Sequence, residues 1–475
     1  MFIDKPDIQG LAFSGYAHWP HSVFRVLTIK DRDATKAWLA RSLEALTFGS
    51  FDRKQTAEAS DRRNLAFTAA GLCRLGLPEQ ALLAFEAPFR EGMTTPRRSL
   101  FLGDAPGSRN DPARWRWGAR ADRPVHLLQM LYAKTPEAAL ALCQAEAADT
   151  SAFLEEVAPP LAVRLTDDRR EHFGFADGVS QPAFEGVSTP TEGGYAGRKL
   201  APGELLVGLP DGLGNLTQGP LVDPDLPGAR NLQQTDGGLS NFGLNGAYLV
   251  ARQLRQDVAG FDAMLGKLAD SPVLKTRLPD HDPAQRAAWA ASRIIGRWPS
   301  GCPVTASPDR DDPQFAGRNG FMFEETDARG AACPFGAHIR RANPRDSQFE
   351  PWRDTGAKDA EKALADNDRR RMLRRGRAFG PLFTEDPAAE RGLMFLALGG
   401  SIERQFEFVQ HSWALNPNFA GLRDETDPLI GGPTALTLPR EPVAQRLDGV
   451  EPHVWTEGGG YFFLPSRRAL GFLAA

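Results

Sequence analysis

Cys333-Pro-Phe-Gly-Ala-His338-Ile-Arg340-Arg341-Ala-Asn343-Pro-Arg345 decides how the rest of this chain is read. One histidine follows small residues and precedes three arginines within seven positions. Gly336 and Ala337 let a flat, bulky group come close to the backbone beside it. Guanidinium pairs well with carboxylates, so the arginines suit an acidic edge on such a group. A haem meets both requirements, with an iron for His338 and two propionates for the arginines.

A second stretch, Gly174-Phe-Ala-Asp177-Gly178, lies upstream. Short Gly/Asp patterns are common in turns, so alone it says little. Two motifs in this order say more. The His338 stretch resembles the proximal-histidine motif of the dye-decolourising (DyP-type) haem peroxidases, and Gly174–Gly178 resembles that family's GxxDG pattern. The resemblance runs from Asp7-Ile-Gln-Gly-Leu11 through Gly296-Arg-Trp-Pro-Ser-Gly-Cys-Pro-Val304 to Gly458-Gly-Gly-Tyr-Phe-Phe-Leu-Pro-Ser466, and the length matches the family's larger members. It implies a non-covalent haem b, reduction of hydrogen peroxide through a ferryl (Compound I) intermediate, and oxidation of organic donors such as phenols and dyes.

Composition is compatible with this and narrows the alternatives. A net charge of −4 gives no global basic field to recruit nucleic acid. Met1-Phe-Ile-Asp-Lys-Pro-Asp-Ile8 is not a basic region followed by an apolar run, and no apolar stretch is long enough to span a bilayer. The four cysteines are scattered, with no CxxC and no CxxCH, which fits a reducing cytoplasm and excludes c-type haem attachment. The expected location is cytoplasmic. The expected partners are hydrogen peroxide and an organic reductant, without nucleic acid or membrane; monomer and homodimer both stay open.

The chain repeats itself weakly. Val23–Ile29 reads as a strand followed by a helix over Asp33–Leu46, and Ala247–Leu254 reads as a strand followed by a helix over Gln256–Leu268. Further strands are expected at Asn64–Thr68, Val125–Tyr132, Gly392–Leu398 and Gly460–Leu464, with helices over Pro136–Ala148 and Ser401–Trp413. Strands and helices in two similar halves indicate an α+β fold. A single larger α/β sheet is the alternative. The resemblance favours two ferredoxin-like halves, antiparallel sheets with packed helices and haem between or within them, as in the chlorite-dismutase-like superfamily. The halves are expected over 1–165 and 166–475, the second with long insertions and the haem-binding residues. Pro182–Gly243 and Pro279–Ala332 read as irregular segments, either pocket walls or surface loops.

By resemblance, His338 is the fifth ligand to iron. A haem-ligating histidine needs its second nitrogen held, and Glu403 in Ser401-Ile-Glu403 is the expected acceptor, with Glu407 the rival one helical turn on. Asp177 is the expected distal acid–base, which takes a proton from one peroxide oxygen and delivers it to the other. Gly174 and Gly178 would let the backbone turn and approach the ring. Arg374, within Arg369-Arg-Arg-Met-Leu-Arg374-Arg375, is the expected distal arginine, with Arg375 one residue away as the rival. An insertion over Asp346–Asp366 lengthens the spacing from His338. Arg345 and Arg341, and then Arg340, are propionate candidates. Leu393 and Phe395 share one face of a strand and are expected to help close an apolar distal pocket. The other histidines read as structural, with His172 the one nearest the Asp177 motif.

Another function remains in competition: a haem-handling protein, storing haem or releasing its iron in the manner of a deferrochelatase, without significant peroxidase turnover. Chlorite decomposition does not use the Asp177 motif. An arginine-rich nucleic-acid binder is disfavoured by the acidic net charge.

Overall fold

A computed structural model of the protein describes residues 3–50, 59–190, 192–217, 219–347 and 357–475. β1 (His21–Ile29) is buried along nearly its whole length, as its run Val23-Phe-Arg-Val-Leu suggests. α1 (Arg32–Ser42) follows, capped by the Asp31 carboxylate on the Ala34 N–H. β2 (Asp61–Phe67) and β3 (Leu127–Ala133) form an antiparallel pair, and β3 pairs antiparallel with β1. α2 (Pro136–Thr150) leads to β4 (Leu154–Glu156) and β5 (Leu161–Arg164), which both pair with β1. This set of strands ends at Arg164.

The pattern returns later in the chain. β6 (Ala247–Gln256) feeds α3 (Val258–Ala269), whose start is capped by Asp257 on the Gly260 N–H. The segment after α3 departs from expectation. Instead of an irregular stretch it holds α4 (Pro283–Ile295), opened by a reciprocal capping box between Asp282 and Gln285 and ended by Gly296 at φ +97°. α5 (His338–Ala342) is a single short turn. Of the expected insertion, residues 348–356 (including Trp352) lie outside the described residues, and a helix runs from Ala357 to Asp368.

β7 (Leu373–Arg374), β8 (Arg377–Phe379), β9 (Gly392–Gly399) and β10 (Val454–Leu464) complete the second set. β9 pairs antiparallel with β7, β8 and β6, and β6 pairs antiparallel with β10. Both expected halves are thus antiparallel sheets with helices packed on them. They do not stay apart. β8 pairs with β5 through Ala378 and Arg164, and β10 meets β2 at Phe463 and Phe67, so the strands close into one circuit. Closure removes the sheet edges.

Strand alternation then divides the core. Phe24, Val26, Leu128, Met130, Leu249, Ala251, Leu396 and Phe462 fill the inside of the circuit. A separate cluster outside it joins α3 and α4 through Phe261, Leu265, Trp289 and Ile294, and extends to Phe175, Cys333 and Ala337. This outer cluster carries both motif segments. The Pro182–Gly243 region is largely irregular, yet Val207, Val222, Leu232 and Phe242 are buried in the main core, so it is packed structure and not loose decoration. No helix among the described residues is long and apolar enough to cross a membrane.

Candidate active site

His338 opens α5, and what surrounds it explains the arginines that follow it. α5 lies against the end of α4, where a Cβ on Gly296 would stand 2.4 Å from the Ile339 side chain. Only glycine tolerates both that approach and the left-handed backbone there. Arg340 is fully buried; its guanidinium donates to Asp327 at 3.2 Å, to the Cys333 carbonyl at 2.8 Å and to Ser347 at 3.1 Å. Arg341 is fully buried as well and donates to the carbonyls of Trp413 (2.8 Å), Asn416 (3.1 Å) and Glu425 (2.5 Å). These two side chains therefore satisfy orphaned carbonyls of the protein itself, which corrects the expectation that Arg341, and behind it Arg340, hold a propionate.

The loop that Arg341 grips delivers the partner of His338. His338 Nδ1 lies 2.9 Å from Asp427 Oδ2. Asp427 is fully buried, and its Oδ1 accepts the N–H groups of Leu429 (2.9 Å) and Ile430 (3.2 Å). Burial would push the Asp427 carboxyl up, but His338, the Leu429 amide and Arg341 hold it below the usual range. Burial would likewise push His338 down, and Asp427 outweighs it, so the imidazole is raised. Nε2 has no hydrogen-bond partner among the described residues, and about 30% of the side chain is accessible.

Glu403 does not occupy this position. It is exposed, and Glu407 is buried against Arg98 (2.7 and 2.9 Å) and the Tyr461 hydroxyl (2.8 Å). The segment that carries both is π-helical over Ile402–Glu407 and Val409–Ala414, so the four-residue spacing used to place them on one α-helical face does not apply.

Asp177 sits in a loop tied down by its backbone. The Asp177 N–H donates to the Arg169 carbonyl at 2.9 Å, and the Ala176 N–H donates to Pro299 at 3.1 Å. Gly174 and Gly178 have φ of +89° and +75°, and a Cβ on Gly174 would meet nothing within 4 Å, so the turn requires glycine there while the space beside it stays open. The side chain of Asp177 is exposed, with Oδ1 accepting the Gly178 N–H at 2.6 Å.

Arg374 comes to the same loop from β7. Its N–H donates to Gln181 Oε1 at 3.0 Å and its Nη2 to the Ser180 carbonyl at 2.8 Å. Burial lowers its guanidinium pKa, against the pull of the Asp177 carboxylate. Strand alternation sends Arg375 the other way, where it donates to the carbonyls of Leu11 (3.0 Å) and Ala12 (3.5 Å). Arg374 is paired with Ala397 on β9, on the face that also carries the half-buried Leu393 and Phe395. His172 is structural, with Nε2 2.8 Å from the Phe379 carbonyl.

The remaining arginines crowd around Tyr195. Arg345 lies 4.5 Å from the Tyr195 ring centroid and 3.6 Å from that of Phe321, and donates to the Asn319 carbonyl (2.8 Å) and side chain (2.6 Å). Burial drives its pKa down to about 9, with Arg297 and Arg371 adding to the fall. Arg371 lies 4.6 Å from the same ring. Its Nη1 and Nη2 are buried without a hydrogen-bond partner among the described residues, the Asp368 carboxylate standing off at 4.0 Å. Arg371 is therefore buried with a loose ion pair to Asp368 and, among the described residues, without a hydrogen bond from its terminal nitrogens. Sequence reading placed Arg371 only inside an arginine-rich run. Asp427 lies in Asp424-Glu425-Thr-Asp427-Pro, where only the aspartate before a proline hints at a fixed turn.

No family model matches the chain. Among curated proteins, it is 28% identical to dye-decolorizing peroxidase msp1 of Mycetinis scorodonius over 98% of this chain and 87% of that protein. It is 32% identical to the multifunctional dye peroxidase DyP2 of an Amycolatopsis species over 63% of this chain and 60% of that protein. Among solved structures, an ancestral D-type dye-decolorizing peroxidase superposes with a TM-score of 0.76 at 26% identity, covering 99% of both chains. A fungal DyP-type peroxidase from Auricularia auricula-judae shares the fold with a TM-score of 0.77 at 22% identity over 100% of both chains. Whole-length relatives and fold agree with the two motifs, and over nearly its whole length the chain is similar to the dye-decolourising peroxidases.

Proposed function

We propose that this protein is a peroxidase that would hold haem b non-covalently through His338 Nε2, with Asp177 and Arg374 acting on hydrogen peroxide. The observation that carries this is the His338–Asp427 pair. A fully buried carboxylate fixes the proton on Nδ1 and leaves Nε2 without a partner, which is how histidine is prepared to bind a metal. Arg371, with its two unpartnered nitrogens, and Arg345 beside it supply the charge a propionate edge requires. Haem bound there supplies the iron that reacts with peroxide and passes the oxidising equivalents to organic donors such as phenols and dyes.

The protein's own groups do the rest. Asp427 keeps the imidazole oriented and electron-rich by accepting from Nδ1. Asp177 Oδ2, the oxygen not engaged by Gly178, takes a proton from one oxygen of hydrogen peroxide and returns it to the other. Arg374, anchored on Ser180 and Gln181, places a fixed positive charge beside the oxygen that leaves as water. Leu393 and Phe395 line the same strand face and keep bulk water from the reacting oxygens.

Haem titration followed by visible absorbance tests this reading. The purified protein should bind one haem and change its Soret band within the mixing time on one equivalent of peroxide. His338→Ala should weaken haem binding by more than the ~10–100-fold that loss of an outer partner costs. Undiminished haem binding by that variant would remove the reading.

A further inference from the structure

The loop that carries Asp177 is built around a carboxyl to which the mechanism above gives no task. Glu171 Oε2 accepts the Phe173 N–H at 2.9 Å, and Oε1 accepts the Phe175 N–H at 3.0 Å. Gln256, the last residue of β6, donates its Nε2 to Glu171 Oε2 at 2.5 Å. Two backbone bonds close the same turn, from the Gly174 N–H to the Glu171 carbonyl at 2.8 Å and from the Glu171 N–H to the Phe175 carbonyl at 3.0 Å. A single side chain therefore receives two successive alternate amides of the turn and ties them to the strand circuit.

The position of this clamp gives it a consequence. Arg374 holds the loop on the far side of Asp177, through Ser180 and Gln181. Glu171 holds it on the near side, through Phe173 and Phe175. Phe175 is itself buried in the apolar cluster that also holds Cys333 and Ala337. The exposed Asp177 carboxylate is thus suspended between two anchors, and its distance from Arg374 depends on both. The two acids also sense each other: burial pushes the Glu171 carboxyl up to about 7, and the charge of Asp177 adds to the rise.

We propose that Glu171 is a positioning residue for Asp177, fixing the proton-carrying carboxylate against Arg374 by receiving the Phe173 and Phe175 amides and bridging to Gln256. This rests on the reading of Asp177 as the proton carrier. Glu171→Gln, compared with the parent above pH 7 where the carboxyl is ionised, is the informative substitution, because it preserves volume while turning one acceptor oxygen into a donor that faces an N–H.

The experiment is a double-mutant cycle on the haem-loaded enzyme, with the rate of the peroxide-induced absorbance change measured for the parent, Glu171→Gln, Asp177→Asn and both together. Glu171→Gln should slow the reaction roughly 10- to 100-fold in the parent and less than about twofold in the Asp177→Asn background, the signature of a residue that acts through another. Haem affinity should stay within about twofold, and amide exchange at Phe173 and Phe175 should accelerate at least ~10-fold in the haem-free protein. Gln256→Ala should give the same pattern at roughly 3- to 10-fold, and carries the test if Glu171→Gln does not fold. Equal slowing in both backgrounds would overturn the positioning role while leaving Asp177 as proton carrier. A normal rate in Glu171→Gln despite faster amide exchange would overturn it too. No slowing by Asp177→Asn alone would remove the underlying reading together with the proposal.

Discussion

The two faces of the site are held by opposite means. On the His338 side, side chains grip side chains and carbonyls in a dry interior: Asp427 holds the imidazole, Arg341 holds the loop that brings Asp427, and Arg340 holds the loop before His338. On the Asp177 side, the loop is fixed through its backbone amides, by the Arg169 and Pro299 carbonyls and the Glu171 carboxyl, and the Asp177 carboxylate is left exposed. The difference suits the tasks proposed for the two residues. A metal ligand must keep one tautomer and one direction, which a buried, fully bonded carboxylate enforces. A proton carrier must change charge, which a desolvated carboxylate locked in an ion pair resists.

The contrast breaks most sharply at Asp177. Asp177→Asn should slow the reaction with peroxide by ~100- to 10,000-fold while haem affinity is unchanged, measured by stopped-flow absorbance and haem titration. Asp427→Asn should do the reverse, weakening haem binding by ~10–100-fold, and Glu403→Gln should do nothing in the same titration. Equal loss from both would show that the acceptor had been misplaced.

Smaller effects sharpen the contrast. Glu171 is raised to about 7 in the fold, above the ordinary carboxylate range, so the folded protein keeps this proton while the unfolded chain loses it. Its contribution to stability is present at low pH and is lost as pH rises from the unfolded value toward 7. Denaturant unfolding between pH 4.5 and 7 should show a loss of about 2 kcal/mol from this group, allowing for its partial exposure, and Glu171→Gln should flatten that slope. Finally, Arg371→Met should weaken haem binding in the haem titration, because it removes a buried positive charge whose terminal nitrogens lack a hydrogen-bond partner among the described residues.

What the sequence made legible was local. The two strand–helix repeats were visible in the apolar periodicity of Val23–Ile29 and Ala247–Leu254, and the folded halves follow them. The closure of the halves into one circuit was not, because Phe463 meeting Phe67 and Ala378 meeting Arg164 are pairings between distant segments with no periodic signature. α4 was readable in principle from the Asp282–Gln285 capping box, which the surrounding prolines and glycines obscured. At the candidate site, short motifs made His338, Asp177 and Arg374 candidates, and alternation along β7 separates Arg374 from Arg375. Asp427 and the unpartnered state of Arg371 depend on which loop folds back onto which helix. Arg341 misled because an arginine beside a ligand-type histidine suggests a ligand, whereas buried carbonyls of the protein claim it first.

The most direct measurement is a crystal structure of the haem-loaded protein. The account predicts iron on His338 Nε2 with Asp427 still on Nδ1, propionates at Arg371 and Arg345, and Asp177 with Arg374 across the ring. Iron on any other residue, or a ring that leaves Asp177 remote from its open face, would contradict it.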